Sequence, residues 1–387
     1  MPQDAILKVI AEYQSDTRAE KIDLGVGVYR DASGNTPILS TVKKAEQFLV
    51  DNQVTKSYLG SSGADPFNQS IQRLIFGNEA GESDRITTLQ TPGGSGSLRV
   101  AAGVILRANE DVSIWAGKPT WANHIPLLGS AGIEMKSYPY YDAEKKHICF
   151  DEMLSAINKI PAGDIILLHG CCHNPTGMDL SEDQWREVTD LVQSNGLLPF
   201  IDIAYQGFAN GIAEDAFGVR HMFDAVPEMV VASSCSKNFA LYRDRIGSLS
   251  MVSKSAATGA IIRSQANNIV RTMYSMPPDH GASVVSHILQ DEALRAEWEI
   301  ELAAMRDRLK SMRAALGAAM REKAPDHDFS HFEKGNGMFS FVGITPEQVE
   351  QLKKDSAVYM VGSSRINIAG ITDENVDHLS SSIAAVL

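Results

Sequence analysis

Cysteine is scarce in this chain: four among 387 residues, with no Cys-x-x-Cys pair. So few thiols cannot form the framework of a protein this long, and neighbours such as Cys171 and Cys172 are poorly placed to bridge each other. A disulfide scaffold and a thiolate zinc site are therefore excluded, and the cysteines read as reduced thiols of a cytoplasmic protein. Long apolar runs are lacking as well. None approaches the roughly 18 residues that a membrane span needs. The opening stretch MPQDAILKVIAEY sets Asp4, Lys8 and Glu12 among its apolar residues, so an amphipathic helix is expected there rather than a secretory signal. Positive charge is in deficit. Lys plus Arg total 35 against 48 Asp plus Glu, a formal charge of −13 that repels a phosphate backbone and speaks against a nucleic-acid partner. Internal repeats and low-complexity segments are absent from the sequence.

What remains is an ordinary globular composition, 44% hydrophobic and 21% charged, which excludes disorder and collagen-like structure. At roughly 100–200 residues per domain, the length predicts two domains. Short β-rich runs alternate with amphipathic ones through the middle of the chain. Val112–Ala116, Asp164–His169, Leu197–Ile203, Glu228–Ser233 and Ile246–Val252 read as strands. Ser181–Asn195 reads as a helix, opened by a Ser181-x-x-Gln184 capping box and closed by Gly196. This alternation predicts an α/β fold, a mostly parallel sheet between helices. From about Gly281 the pattern changes to one long helical stretch, Ala282–Glu322. A strand at Met338–Val342, a helix at Pro346–Lys354 and a closing helix at Glu374–Val386 follow. The expected division is a large domain over residues 37–304 and a smaller α+β domain built from both chain ends, 1–36 and 305–387.

Several segments could carry chemistry. Thr91-Pro92-Gly93-Gly94-Ser95-Gly96-Ser97 runs into a helical pattern at Leu98–Leu106. A glycine-rich turn at a helix start offers free N–H groups to a phosphate, though taken alone it serves equally well as a tight turn. It is not a Walker loop, a dinucleotide fingerprint or a hydrolase elbow, because Gly-Lys-Ser/Thr is absent, Arg99 replaces the third glycine, and Ser97 stands two residues after Ser95. His173-Asn174-Pro175-Thr176-Gly177 follows a strand, at the strand end where open α/β sheets bind ligands. His169 and His173 lack the accompanying carboxylate or cysteine pattern of a metal site, and no metal is expected. Asp202 and Tyr205 end another strand, where a carboxylate is poorly placed as core. Lys237 sits among Ser234 and Ser236, with Arg245 eight residues on. Such a lysine is either solvated or a Schiff-base nucleophile beside a phosphate site. Arg271 and Arg365 each offer a planar fork suited to carboxylates, and singly each reads as a surface ion pair.

The ordered set PGGSG, HNPTG, Asp202-x-Ala204-Tyr205, Ser234-x-Ser236-Lys237, Arg245, and Arg365 followed by Ile-Asn-Ile-Ala-Gly resembles the class I pyridoxal-phosphate aminotransferases, of the aspartate/aromatic amino acid subgroup. The likeness runs from Ile22-Asp23-Leu24-Gly25-Val26-Gly27-Val28-Tyr29 to the C-terminus. It takes in Tyr58-Leu59-Gly60, Pro119-Thr120-Trp121-Ala122-Asn123-His124 and Cys171-Cys172 before HNPTG. The resemblance implies fold-type I architecture and pyridoxal 5'-phosphate as cofactor. By the same resemblance, Lys237 holds the cofactor and shuttles the proton, while Asp202 keeps the pyridine nitrogen protonated, supported by His124. Tyr205 and Asn174 would donate to the cofactor's O3′, and Trp121 would stack on its ring. Gly94, Ser95, Ser234, Ser236 and Arg245 would hold its phosphate, joined by the partner subunit's Tyr58. Arg365 would grip the substrate α-carboxylate and the partner subunit's Arg271 the distal one, with Gly27 closing over the substrate. A homodimer with shared active sites follows.

The implied reaction is ping-pong transamination with 2-oxoglutarate as acceptor. Ser95, Ser57 and Met276 stand where aspartate-selective relatives usually carry Thr, Asn and Asn. A thioether beside Arg271 makes a pocket more apolar and adaptable, whereas Arg30 keeps the basic character of the aspartate-selective members. Aromatic amino acids together with aspartate are the expected substrates; the alternative is an aspartate-selective enzyme.

Overall fold

The computed structural model describes residues 5–387. Its centre is a seven-stranded sheet. The strands, numbered along the chain, are β1 (Ile86–Pro92), β2 (Ser113–Lys118), β3 (Glu134–Pro139), β4 (Ile165–His169), β5 (Leu198–Ile203), β6 (Met229–Ser234) and β7 (Ile246–Val252). Their spatial order is β1-β7-β6-β5-β4-β2-β3. Only β7 runs against its neighbours; the remaining pairs are parallel. The fold is α/β, as the alternation of strand and helix predicts.

Strand periodicity divides the core. Ile165, Leu167, Phe200 and Val230 pack into one apolar cluster, while Ile166, Leu168, Ile201 and Val231 pack into another. Successive side chains point to opposite faces, so these central strands feed both clusters and are mostly apolar. Helices then cover both faces.

Two expectations are corrected. The helix after β1 starts at Gly93, not Leu98, and spans Gly93–Ala108, so the glycine-rich segment forms its first turn. Glycine is a poor helix former, yet tight packing overrides that propensity. A Cβ on Gly96 would lie 2.7 Å from Pro92 Cδ, and one on Gly94 would lie 3.3 Å from Ser234 Cβ. The long stretch Ala282–Glu322 divides into helices His280–Gln290 and Glu292–Lys323. Asp291 interrupts it by leaving the helical region, and its carboxylate accepts from the Leu294 N–H at 2.9 Å, an N-cap that needs no proline.

Both chain ends meet beside the sheet. Ile22–Asp23 pairs in parallel with Val358–Tyr359, and the Leu24 N–H donates to the Tyr359 carbonyl at 2.8 Å. Phe339–Phe341 pairs antiparallel with Arg365–Asn367. The amphipathic N-terminal helix covers Ala5–Ser15, and Asp4 lies outside the described residues. The expected capping box is present: the Ser181 hydroxyl accepts from the Gln184 N–H, and the Gln184 amide oxygen accepts from the Ser181 N–H.

Candidate active site

The sheet's strand directions bring distant motifs to one edge. Parallel β2, β4, β5 and β6 all end there, and they lead into Trp121, Asn174, Asp202 and Lys237. β1 also ends at this edge, opposite the start of antiparallel β7, with Pro92 facing Ile246. The helix at Gly93 and Arg245 thereby join the same site. A cleft of about 640 Å³, counting space open to solvent, lies beyond this edge. Gly27, Trp121, Asn174, Asp202, Tyr205, Lys237 and Arg365 line it, all seven singled out in the sequence.

Lys237 is half-buried, with its Nζ 4.9 Å from the Tyr205 ring centre. Burial lowers its pKa to about 8; the charge of Asp202 opposes the shift and that of Arg245 adds to it. A sizeable neutral fraction is therefore present near neutral pH, as a nucleophile or proton carrier requires. Asp202 is pushed up by burial but pulled down more by the His124 hydrogen bond and surrounding positive charge, so it ends below the ordinary carboxylate range.

The hydrogen bonds behind Asp202 have one consistent direction. An ionised carboxylate only accepts, so His124 Nε2–H donates to Asp202 Oδ2 at 2.9 Å. In its neutral form, His124 Nδ1 then accepts from the Thr120 hydroxyl at 2.8 Å. The Thr120 oxygen in turn accepts from His169 Nε2–H at 3.0 Å. Burial holds His169 neutral, with a pKa of about 3. The chain of donors leaves Asp202 charged and aimed at the cleft. Only its His124 member was expected; Thr120 lay inside a noted motif, and its spacing of four residues to His124 was the available signal.

A second cluster fits a phosphate. The helix Gly93–Ala108 has Pro92 at its cap and no side-chain cap bond, leaving N–H groups at its start for a ligand. Ser234 and Ser236 hydroxyls lie 3.1 Å apart, and Arg245 donates to Ser236 Oγ at 3.3 Å. A Cβ on Gly93 would lie 2.3 Å from Arg245 Nη2, and one on Gly94 would crowd Ser234. These glycines keep the cradle open. Its donor set of backbone N–H groups, hydroxyls and a guanidinium suits a phosphate dianion.

Arg365 supplies the other pole. It is 7% exposed, and burial lowers its pKa. Nη2 donates to the Gly25 carbonyl at 2.7 Å, the guanidinium lies 4.5 Å from the Phe339 ring centre, and buried Nε has no partner. No carboxylate among the described residues pairs with it. A buried cation without a counter-ion is costly and is poised to receive one. Asn367, two residues on, donates to the carbonyls of Val26 and Val28 at 2.6 and 2.7 Å, fixing the Gly27 segment over the cleft. Phe339 is the main lining residue that sequence reasoning missed, since Met338–Val342 showed only a strand pattern.

Tyr58 and Arg271 lie away from this chain's own cleft. Tyr58 is 93% exposed, and Arg271 is exposed and bonded to Ser275 Oγ. Ser57 is exposed and Met276 half-buried, and neither lines the cleft. Arg30 is taken up by an ion pair with Asp23. Ligand atoms of Cys171, Cys172 and Asp215 cluster within 4.8 Å, but backbone N–H groups of Gly207, Ala209, Asn210 and Gly211 occupy the Asp215 carboxylate.

Lys237 in the cofactor-free protein is expected to react with trinitrobenzenesulfonate more rapidly as pH rises, with a midpoint near 8, because only the neutral amine attacks. Asp202→Asn removes the charge that favours the cation and should move that midpoint down. A midpoint at the ordinary lysine value would contradict the environment described.

The class I and II aminotransferase model matches residues 19–383. Aspartate aminotransferase of Haemophilus influenzae is 45% identical, covering 100% of this chain and 98% of that protein. Aromatic-amino-acid aminotransferase of Pseudomonas aeruginosa is 44% identical, covering 100% and 97%. A crystal structure of the Burkholderia pseudomallei aromatic-amino-acid aminotransferase, covalently bound to pyridoxal phosphate, superposes with a TM-score of 0.97. It is 39% identical, covering 100% of this chain and 98% of that one. Sequence, fold and the convergence of motifs on one cleft agree: this chain belongs to the class I and II aminotransferase family.

Proposed function

We propose that the chain is a pyridoxal 5'-phosphate-dependent aminotransferase that moves amino groups from aspartate and from phenylalanine, tyrosine and tryptophan to 2-oxoglutarate. The observation that carries this reading is a buried Arg365 without a counter-ion, facing the same cleft as a Lys237 whose pKa burial has lowered to about 8 and a charged Asp202. Together these supply a carboxylate clamp, a movable proton and a fixed negative charge. When bound, the cofactor supplies a reactive carbonyl and a ring that draws electrons from the substrate Cα.

This chain's residues do the rest. Gly94, Ser95, Ser234, Ser236 and Arg245 hold the phosphate, joined by Tyr58 of the partner subunit. Trp121 would pack on the ring, while Tyr205 and Asn174 would donate to its O3′. Asp202, held by His124, keeps a proton on the ring nitrogen. Arg365 would orient the α-carboxylate so that the Cα hydrogen faces Lys237, whose neutral amine would take that proton and, once protonated, hold it for return to the reacting centre. Gly27 leaves space for the segment above the substrate, where Phe339 Cζ would lie 3.1 Å from an added Cβ.

A homodimer with shared sites belongs to the same reading. Ile38, Phe48, Val50, Val54, Tyr58, Ile261 and Met273 are large apolar side chains left exposed. They fall in the segments that carry Tyr58 and Arg271. Ser62 Oγ donates to Asn267 Oδ1 at 2.7 Å and Ser61 Oγ to the Ser275 carbonyl at 3.0 Å, tying those segments into one surface. Exposed apolar area of this kind marks an interface, across which Arg271 of the partner subunit would meet a distal carboxylate. We place the protein in the cytoplasm; no helix among the described residues is long and apolar enough to cross a membrane. The large domain is taken as residues 37–304 and the small one as 1–36 with 305–387, the helix Glu292–Lys323 running through both.

Relatives named for aspartate and for aromatic amino acids match at 45% and 44%. Engagement of Arg30 by Asp23 removes one argument for selectivity toward aspartate. The test is steady-state transamination by the cofactor-loaded protein with each donor and 2-oxoglutarate. Turnover with aspartate and with phenylalanine supports the reading, and turnover with aspartate alone leaves a selective aspartate aminotransferase. Release of pyruvate and ammonia without an oxo acid would make the chain a lyase.

A further inference from the structure

Arg313, on the helix Glu292–Lys323, is 2% exposed and forms no ion pair among the described residues. Burial brings its pKa down to about 10. Its donors go to main-chain carbonyls alone: Nε to Gly337 at 3.1 Å, Nη1 to Phe332 at 3.1 Å, and Nη2 to Asn336 at 2.8 Å and to Phe339. Four carbonyls turned toward one cation fix the course of residues 332–339.

That segment is pressed onto the loop carrying Asn174. The Asn336 N–H donates to the Gly177 carbonyl at 2.6 Å. A Cβ on Gly177, whose φ is +72°, would lie 2.2 Å from the Phe339 oxygen and 2.8 Å from Arg313 Nη2. From the other side, half-buried Asp179 accepts from the Cys172 and His173 N–H groups at 2.8 Å each, and from Asn336 Nδ2 at 3.1 Å. Arg313 holds one segment by its carbonyls, Asp179 holds the other by its N–H groups, and Asn336 joins them.

We propose that Arg313, Asn336 and Asp179 form a positioning joint for carboxylate recognition, setting the distance between the Asn174 loop and the Phe339 ring that underlies Arg365. Phe339 pairs in register with Asn367, so displacement of residue 339 moves the strand bearing Arg365. A planar guanidinium spreads donors over four carbonyls, which the single ammonium of lysine cannot do. Arg313→Lys should therefore fail to substitute although it keeps the charge. The consequence for carboxylates rests on reading Arg365 as the clamp.

The experiment uses wild-type holoenzyme, Arg313→Lys and Asn336→Ala. It records three quantities: binding of 3-phenylpropanoate by tryptophan fluorescence, KM and kcat for aspartate, and amide hydrogen exchange. Arg313→Lys should weaken 3-phenylpropanoate and raise KM by about tenfold each while kcat changes less than about threefold, as loss of orientation at a carboxylate requires. Exchange should quicken over 332–341 and also over 172–179, where Arg313 makes no hydrogen bond, and remain unchanged elsewhere. Asn336→Ala should act in the same direction by about threefold, and it decides the matter if Arg313→Lys does not fold. Wild-type KM and affinity in a folded Arg313→Lys, or faster exchange confined to 332–341, would overturn the joint. If wild type fails to bind 3-phenylpropanoate, the aromatic part of the proposed function is wrong, and KM for aspartate with the exchange data still judges the joint.

Discussion

Lys237→Ala is expected to leave a folded protein whose turnover falls by at least about 10⁴-fold, since one group supplies both nucleophile and proton carrier. The fold should persist because Lys237 Nζ has no hydrogen bond or ion pair among the described residues, and burial already disfavours its charged form. Removing it therefore orphans no partner. Melting temperature and far-ultraviolet dichroism check the fold, and steady-state transamination checks the loss. A folded variant retaining a substantial share of wild-type turnover would remove Lys237 from the mechanism.

Asp202→Asn is expected to reduce turnover by about 10³-fold, the scale of losing one preorganised charge at a reacting centre. The amide is nearly isosteric and can still bond His124, so packing behind it should hold. What it lacks is the charge that, on the proposed reading, would keep a proton on the cofactor's ring nitrogen. The phosphate cradle is formed by other residues, so cofactor binding by equilibrium dialysis should weaken far less than turnover. Solvent exchange of the substrate Cα hydrogen isolates the affected step and should slow in parallel with turnover. Wild-type exchange in this variant would contradict the role given to Asp202.

The reach of the sequence is clearest at Asp202 and Lys237. Asp202 lies near the end of an apolar strand and Lys237 just beyond another, and a carboxylate or lysine at such a strand end has little to do in a core. Five of the seven strands of the central sheet were legible because runs buried on both faces tend to be apolar, whereas Ile86–Pro92, rich in threonine, and the largely polar edge strand Glu134–Pro139 lack that pattern. The break at Asp291 was missed because continuous helical periodicity outweighed a single capping residue, and only tertiary packing reveals where the chain must turn. The early helix start at Gly93 reverses local propensity, and the close approach of Ser234, where an added Cβ on Gly94 would crowd it, is a tertiary feature that no local pattern contains. Phe339 and Arg313 were illegible as site residues. A buried phenylalanine in a strand and an arginine in a charged helix look ordinary until the fold sets one beneath Arg365 and the other behind it.

Arg271, Ser57 and Met276, the residues read as bearing on substrate choice, do not line this chain's own cleft, so chemistry with real donors is the direct test. Cofactor-loaded protein is mixed in single-turnover absorbance experiments with aspartate and, separately, with phenylalanine. Loss of the bound cofactor's absorbance band at comparable efficiency with both is the predicted result. Loss with aspartate alone would contradict dual specificity, and loss with neither would contradict the aminotransferase account of Lys237, Asp202 and Arg365.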